Sequence, residues 1–180
     1  MHKDLKEIIL TQDEIHEKVK EIASQLNDFY KGEEVVFVCV LKGSLPFFAD
    51  LVREVNFPVT FDIVCVSSYG ASTNSSGTLK IKLDSGVSFE NKHVLIIEDI
   101  LDTGNTLYNL LEHFSNKKPK SMKLCCLLDK PSRRMRDIEA DFCGFKIPDE
   151  FAVGYGLDYA EKYRELPYIG ILKPEIYENN

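Results

Sequence analysis

The stretch Val94–Leu107, VLIIEDILDTGNTL, decides the fold class of this chain. Its apolar start runs directly into two adjacent carboxylates, Glu98 and Asp99. A continuous apolar run that ends at a loop is typical of a strand buried on both faces of a parallel sheet. Open α/β sheets bind ligands beyond the carboxyl ends of their strands, so both carboxylates are expected to face a ligand crevice.

The loop that follows has the composition of an anion site. It combines hydroxyl-bearing, small and glycine residues at the start of a helix, namely Asp102, Thr103, Gly104, Asn105 and Thr106. A helix N-terminus attracts anions through its unpaired N–H groups and its dipole. The acidic pair can bind ribose hydroxyls, directly or through Mg²⁺, and the loop beside it can bind a phosphate. Together they indicate a phosphorylated sugar as the ligand. Acidic strand ends also occur as plain sheet edges, in receiver domains, in dehalogenase-like phosphatases and in Walker B strands, and this segment alone leaves those alternatives open.

Length, charge and cysteine content narrow the class of protein. A chain of 180 residues that is 44% hydrophobic suits a single domain spanning residues 1–180. A net charge of −7 without a long basic run argues against nucleic acid or an anionic membrane as the main partner. The N-terminal MHKDLKEIIL lacks a hydrophobic signal core, and no apolar run is long enough to span a membrane, so the cytoplasm is the expected location.

The chemistry of the cysteines and histidines is expected to be unremarkable. The five cysteines show no CxxC or zinc spacing, which predicts reduced and mostly buried thiols: Cys39, Cys65, Cys125, Cys126 and Cys143. The four histidines, His2, His16, His93 and His113, are interpreted as surface residues.

Alternating strand and helix patterns predict an α/β fold with a mainly parallel twisted sheet flanked by helices. Helices are predicted from Thr11 to near Lys31-Gly32, from near Ser44 and Pro46, and from Thr106 to Phe114; strands are predicted at Glu34–Leu41, Val59–Val66, Leu79–Asp84 and Met122–Leu128. The Gly/Ser-rich segment Ser67–Thr78 is predicted to be a loop between two strands, like a flap. Lys130–Arg136 is predicted to be an irregular basic segment.

The Val94–Leu107 segment closely resembles the phosphoribosyl-diphosphate (PRPP) signature of type I phosphoribosyltransferases, and Asp102 makes it most similar to the hypoxanthine-guanine branch. Further motifs extend the resemblance over nearly the whole chain in matching order: LKGS at Leu41–Ser44, Ser68-Tyr69, LLDK ending at Lys130, and FAVGYGLDY at Phe151–Tyr159. The resemblance implies the fold of that family, with a small hood over the base site. It also implies Mg²⁺ as cofactor and a homodimer or homotetramer.

For PRPP, the resemblance implies that Glu98 and Asp99 bind the ribose hydroxyls and a metal ion. It implies that residues 102–106 bind the phosphate, and that Asp102 acts as general acid and base near purine N7. Pyrophosphate is assigned to Lys42, Gly43, Ser68, Tyr69 and Arg164, with a Leu41-Lys42 peptide that can be cis and a flap that closes over the diphosphate. Alternatives are a solvated Lys42, and an Arg164 that pairs on the surface with Glu161 or Glu165.

For the purine, the resemblance implies that Lys130 donates to the 6-oxo group and that Phe151 stacks on the ring. It places backbone groups of Ala152 and Asp158 near the base edge, and the Asp158 carboxylate on a Mg²⁺ that holds pyrophosphate. A merely solvated Lys130 and a core Phe151 are the alternatives. Two departures from the family pattern are Asn105, where some members have lysine, and Ala152, which is smaller than the valine often found there.

The implied activity is the transfer of a phosphoribosyl group from PRPP to hypoxanthine or guanine in purine salvage. Rival functions are a xanthine or pyrimidine phosphoribosyltransferase, an RNA-binding attenuator on the same fold, and a non-catalytic effector-binding module. The attenuator is expected to show a basic RNA-facing surface and a non-acidic residue at position 102. This chain is acidic and has Asp102.

Overall fold

The computed structural model describes residues 1–68 and 79–178. Its strands are β1 (Leu5–Leu10), β2 (Val35–Leu41), β3 (Val59–Ser68), β4 (Leu79–Leu83), β5 (His93–Leu101), β6 (Ser121–Asp129), β7 (Phe142–Lys146), β8 (Ala152–Val153) and β9 (Ile169–Leu172). Its helices are α1 (Gln12–Tyr30), α2 (Leu45–Glu54), α3 (Asn105–Ser115) and α4 (Pro174–Tyr177), with a 3₁₀ turn at Pro131–Arg133.

A six-stranded sheet in the order β4-β3-β2-β5-β6-β7 forms the centre of the fold. Every neighbouring pair in it is parallel except β3 and β4, which are antiparallel. Helices α1 and α2 pack their apolar residues on one face of this sheet, and α3 packs on the other. The predicted α/β architecture with a mainly parallel sheet is therefore confirmed, and the polar strand ends of β2, β5 and β6 meet at one edge.

Helix α1 shows how local sequence signals set the boundaries of an element. The Thr11 hydroxyl accepts a hydrogen bond from the Glu14 N–H, and the Glu14 carboxylate accepts one from the Thr11 N–H, at 3.3 and 2.8 Å. This reciprocal capping box starts the helix where the sequence predicts it. The helix ends at Tyr30, and its C-cap Lys31 has a left-handed φ of +49° directly before Gly32.

A second, three-stranded antiparallel sheet in the order β1-β9-β8 forms the predicted hood. It is joined to the end of β6, since the Lys130 Nζ donates to the Glu150 carbonyl just before β8. Aromatic residues pack around this sheet, among them Phe151, Tyr159 and Tyr163.

Several sequence-based expectations are wrong or incomplete. No strand was expected at β1 or β7, and both are present. His93 was expected on the surface, but its side chain is only 18% exposed and its Nδ1 hydrogen-bonds to the Ser121 hydroxyl oxygen at 2.6 Å, because it begins the central strand β5. The five cysteines are free thiols, as predicted, although Cys65 and Cys143 are only half-buried.

The predicted flap lies mostly outside the described residues. Strand β3 continues through Ser67 and Ser68, which were predicted to start the loop, because both pair with β4, and β4 begins at Leu79 as predicted. Tyr69 falls between the two strands. Within residues 1–68 and 79–178, no helix has both the length and the apolar character needed to cross a membrane.

Candidate active site

The acidic end of β5 packs directly against the turn that follows β2. A Cβ atom on Gly43 would lie 1.6 Å from the Asp99 Oδ2, so a side chain cannot be accommodated at position 43 while Asp99 keeps its place. The Asp99 Oδ1 accepts a hydrogen bond of 2.7 Å from the Ile100 N–H. The Leu41-Lys42 peptide in this turn is cis. The predicted PRPP carboxylates and the predicted pyrophosphate turn are thus in contact.

The two adjacent carboxylates hold their protons more tightly than usual. Each side chain keeps some exposed surface, but protein atoms enclose most of it. Burial raises the pKa of Glu98 well above its ordinary value, and the neighbouring Asp99 raises it further. Burial also raises the pKa of Asp99. A partly buried acidic pair of this kind favours a ligand that brings a cation or hydroxyl donors.

The loop after β5 leads into the N-terminus of α3 beside this pair. Gly104 precedes the helix with a φ of +80°, and a Cβ there would lie 2.6 Å from the Ile138 Cγ2. Together the strand ends and the loop enclose a cavity of about 210 Å³, lined by Val40, Leu41, Val66, Glu98, Asp99, Ile100, Asp102, Thr103, Gly104, Thr106 and Leu107. The structure therefore brings together the predicted sugar-phosphate residues with one exception. Asn105 does not line the cavity, and its side-chain oxygen accepts a hydrogen bond of 2.8 Å from Arg136.

A brace behind this loop was missed by sequence reasoning. One guanidinium nitrogen of Arg134 donates to the Leu101 carbonyl at 3.0 Å and to the Asp102 carbonyl, while the other binds the Asp129 carboxylate. The Met135 N–H donates to the Thr103 carbonyl at 2.9 Å. The signal in the sequence was the basic segment Lys130–Arg136, to which no role except that of Lys130 was assigned.

The side chain of Asp102 lies beside the same basic segment. The Nε of Arg133 lies 3.0 Å from the Asp102 Oδ1 and forms an ion pair with it. The pair lacks the alignment of a hydrogen bond, and among the described residues this buried oxygen has no hydrogen-bond partner. The Arg133 guanidinium therefore covers this oxygen, and a ligand donor that binds to it must displace the ion pair.

Lys130 is buried, with 6% of its surface exposed, so the solvated alternative is wrong. Its Nζ donates to the Glu150 carbonyl at 2.6 Å. Burial lowers the pKa of Lys130, and the negative charges of Asp102 and Asp149 act against that shift. An ammonium has three donors, so a hydrogen bond to Glu150 leaves further donors for a second acceptor near Asp102.

The predicted base-stacking residue lies in the hood. The Phe151 ring is half-buried and stacks on Tyr177 with centroids 5.2 Å apart, while Tyr159 meets it edge to face at 5.4 Å. Ala152 follows in β8 and is buried. Phe151 therefore packs against other aromatic residues but is not a fully buried core residue, and its stacking on a purine stays a prediction.

Two of the predicted pyrophosphate residues, Lys42 and Arg164, belong to one ionic network. Arg164 Nη2 lies 2.8 Å from the Asp158 Oδ1 and 3.3 Å from the Glu161 Oε2, which is also 3.0 Å from the Lys42 Nζ. The Arg164 Nη1 donates to the Gly156 carbonyl at 2.7 Å, and its buried Nε has no hydrogen-bond partner among the described residues. Lys42, Asp158 and Arg164 are thus brought together. Ser68 ends β3, and Tyr69 lies outside the described residues.

The carboxylates of this site suit a hard cation that is bound partly by the protein and partly by a substrate. Within residues 1–68 and 79–178, no three His, Cys, Asp or Glu side chains are grouped so as to hold a metal ion. The predicted metal residues do not form one cluster, because Glu98 and Asp99 lie at the end of β5 while Asp158 pairs with Arg164. Mg²⁺ commonly binds one or two carboxylates together with substrate phosphates and water. The residues present are compatible with that mode.

A mainly parallel sheet with an acidic strand end, a loop that leads into the following helix and a second small sheet are the features expected of a phosphoribosyltransferase. Residues 7–160 match the family model of the phosphoribosyl transferase domain, and the chain belongs to that family. It is 52% identical over 179 residues to the hypoxanthine-guanine phosphoribosyltransferase of Staphylococcus aureus (strain Mu50), covering 99% of this chain and 100% of that protein. It is 51% identical to the enzyme of that name from Bacillus subtilis (strain 168), covering 99% of each chain.

Solved structures agree with these relatives. The crystal structure of a hypoxanthine phosphoribosyltransferase from Staphylococcus aureus superposes with a TM-score of 0.94 at 52% identity, covering 98% of this chain and 96% of that one. The predicted type I phosphoribosyltransferase fold and the predicted hypoxanthine-guanine branch are confirmed.

Proposed function

We propose that this chain transfers the 5-phosphoribosyl group of PRPP to hypoxanthine or guanine and releases pyrophosphate, which gives IMP or GMP in purine salvage. The observation that carries the proposal is the shared cavity of the Glu98-Asp99 pair and the loop at residues 102–106. From the family resemblance, we also infer a single domain that works in the cytoplasm as a homodimer or homotetramer.

The cavity suits the ribose 5-phosphate half of PRPP. Glu98 and Asp99 accept hydrogen bonds from the two ribose hydroxyls, while backbone N–H groups at the start of α3 and the hydroxyls of Thr103 and Thr106 bind the phosphate. The diphosphate lies toward Gly43, Lys42 and Arg164, because the turn after β2 touches Asp99 directly. We also assign Ser68 and Tyr69 to the diphosphate side of the site.

Glu98 and Asp99 on one side of the site, and Asp158 on the other, would hold Mg²⁺ together with PRPP oxygens. The metal ion would supply positive charge for the departing diphosphate. The cationic side chains Lys42 and Arg164 add to that charge. Arg164 and Lys42 currently share the Glu161 carboxylate, so a diphosphate group can replace that internal anion.

The purine side of the site uses Asp102 and Lys130. Lys130 donates from its buried ammonium to the 6-oxo group, and its hydrogen bond to the Glu150 carbonyl fixes its direction. The Asp102 carboxylate takes the proton from purine N7 as N9 attacks the anomeric carbon. Phe151, Ala152 and the backbone at Asp158 cover the base from the hood. Catalysis rests on positioning and electrostatics, since the transition state resembles an oxocarbenium ion.

The test is a panel of single bases with PRPP and Mg²⁺, in which pyrophosphate release is measured for hypoxanthine, guanine, xanthine, adenine, uracil and orotate. We expect turnover with hypoxanthine, guanine or both. Turnover restricted to xanthine or a pyrimidine would assign a different phosphoribosyltransferase. Absence of turnover combined with tight PRPP binding would indicate an effector-binding module.

A further inference from the structure

Two cysteines lie directly opposite each other on neighbouring strands of the central sheet. Cys126 in β6 is the register partner of Cys143 in β7. Neighbouring strands lie about 4.8 Å apart, and disulfides join Cα atoms separated by about 4.4 to 6.8 Å. The backbone spacing therefore allows a bond between these two sulfur atoms.

No other cysteine in this sheet faces a second thiol across the ladder. The partners of the remaining cysteines are Ile63 and Ile97 for Cys39, Leu41 and Leu83 for Cys65, and Ile97 and Phe142 for Cys125. All five cysteines lie within the described residues. The pairing of Cys126 with Cys143 is therefore specific to one position of the fold.

The two thiols differ in access and in proton affinity. Cys126 is fully buried, while Cys143 is half-buried and lines a cavity of about 290 Å³. The cavity walls carry three cations and three carboxylates, namely Arg134, Arg136, Lys146, Asp129, Asp137 and Glu139. The neighbouring Cys126 thiol lowers the pKa of Cys143, and the positive charges of Lys146 and Lys18 act in the same direction, while burial and Asp129 act against the shift. The Cys143 Sγ also lies 4.0 Å from the Phe145 carbonyl oxygen and donates to it. The neighbouring Cys143 thiol and burial raise the pKa of Cys126. Cys143 is therefore the thiol with greater thiolate character and solvent access.

We propose that Cys143 and Cys126 form a peroxide-reactive dithiol, in which Cys143 is the attacking residue and Cys126 the resolving residue. The Cys143 thiolate attacks a hydroperoxide oxygen, which breaks the O–O bond, releases hydroxide or alkoxide and leaves a sulfenic acid. The Cys126 sulfur then attacks the Cys143 sulfur, gives up its proton and displaces the sulfenic oxygen as water. The product is one disulfide, and exchange with an external dithiol restores both thiols. The dithiol lies beside the acidic pair, because Cys126 is also the register partner of Glu98, but the redox step uses none of the groups of the proposed transfer reaction.

The experiment treats the full chain with a small excess of hydrogen peroxide, blocks free thiols and digests it with trypsin without reduction. We expect peptide 124–133 linked to peptide 137–146, with fragmentation between Cys125 and Cys126 placing the bond on Cys126. Dithiothreitol should remove the link. Cys143 should react about tenfold faster than Cys65, which is also half-buried but has no thiol across the ladder.

Variants identify the two roles. In Cys126→Ser, dimedone should trap a sulfenic acid on Cys143, because no resolving thiol is present. In Cys143→Ser the cross-link should disappear, whereas the matched control Cys65→Ser should form it at the wild-type rate. Wild-type protein in which both thiols stay free while Cys65 is oxidised would overturn the proposal, and so would a cross-link that persists in Cys143→Ser. Because the wild-type result alone can refute it, the test does not depend on how well the variants fold.

Discussion

Replacing Lys130 with alanine tests how the site selects its base. Lys130 is 6% exposed, is held at 2.6 Å by the Glu150 carbonyl and has donors left for the purine 6-oxo group. Adenine carries an amino group at that position, so two donors would face each other. The variant removes the donor that favours hypoxanthine and guanine and also the donor that penalises adenine.

The expected size of the effect follows from the type of hydrogen bond. A hydrogen bond to a charged group contributes about 1.5 to 3 kcal/mol, and about 1.4 kcal/mol corresponds to a tenfold change in rate. Lys130→Ala should therefore lower kcat/KM for hypoxanthine and guanine by about 10- to 150-fold. Discrimination against adenine, which reaches about 10⁴-fold in a site built around one polar atom, should shrink by a comparable factor or more. The Glu150 carbonyl also loses its partner, which should cost about 1 to 3 kcal/mol of folding stability.

Steady-state kinetics with hypoxanthine, guanine and adenine at saturating PRPP measure these changes. Lys6→Ala is the matched control, because Lys6 also binds Glu150, through the exposed side-chain oxygen at 2.8 Å. This control should leave the purine preference unaltered. If Lys130→Ala lowered the rates for all three bases by one common factor, the ratio would be unchanged and the assignment of Lys130 to the 6-oxo group would be refuted.

Three further substitutions test the carboxylates and the turn. Asp102→Asn keeps the shape of the loop but removes the proton acceptor, so kcat should fall by about 10²- to 10⁴-fold while PRPP binding, measured by calorimetry, is retained; a loss of less than tenfold would contradict the role. Gly43→Ala should lower kcat/KM for PRPP by about 10²-fold, because the new methyl group displaces the Asp99 carboxylate. Unchanged kinetics would show that catalysis does not depend on the observed position of the Asp99 carboxylate. Glu98→Gln should stabilise the ligand-free protein against urea, and the gain should increase as the pH rises above 4.5. The gain should reach about 1.4 kcal/mol for each pH unit by which folding raises the pKa of Glu98.

The sign of the pH effect follows from the raised pKa of Glu98. The folded protein binds this proton more tightly than the unfolded chain, so the contribution to stability is fully present below the unfolded pKa and is lost as the pH rises through the folded pKa. Glutamine does not titrate, so the Glu98→Gln variant should not lose folding stability in this way as the pH rises. An identical stability profile for Glu98→Gln and wild type would contradict the burial of the pair.

Matched controls exist for each of these substitutions. Asp137→Asn changes an exposed aspartate near the same basic segment. Gly86→Ala adds a methyl group at a glycine with no atom within 4 Å of the new Cβ. Glu90→Gln removes an exposed carboxylate. All three should behave like the wild-type protein in the corresponding assay.

The sequence predicts the elements whose signals are local. The capping box at Thr11, the apolar run of β2 and the acidic end of β5 each give the type of an element and nearly its boundaries. Strand β1 was missed because its pairing partner β9 lies far away in the chain, and six residues with no clear alternation do not predict a strand. Strand β7 was missed because it is short, contains Gly144 and depends on β6 for its pairing.

The predictions for the site likewise succeed where the signal is local and fail where it depends on distant parts of the chain. Motif spacing brings Glu98, Asp99 and the loop together, because they are contiguous in the sequence. The contact of Gly43 with Asp99 could not be predicted, since it depends on how closely two strand ends approach. The brace formed by Arg134 and the network around Glu161 are equally inaccessible, because their partners are set by side-chain conformations and not by residue order.

The most direct test of the proposed function is one competition reaction. The protein is incubated with PRPP, Mg²⁺ and equal concentrations of hypoxanthine, guanine and adenine, and the nucleoside monophosphates are quantified by mass spectrometry together with pyrophosphate. The account predicts IMP or GMP in a one-to-one ratio with pyrophosphate, and AMP lower by as much as about 10⁴-fold. Substantial AMP, or pyrophosphate released without any purine nucleotide, would contradict it.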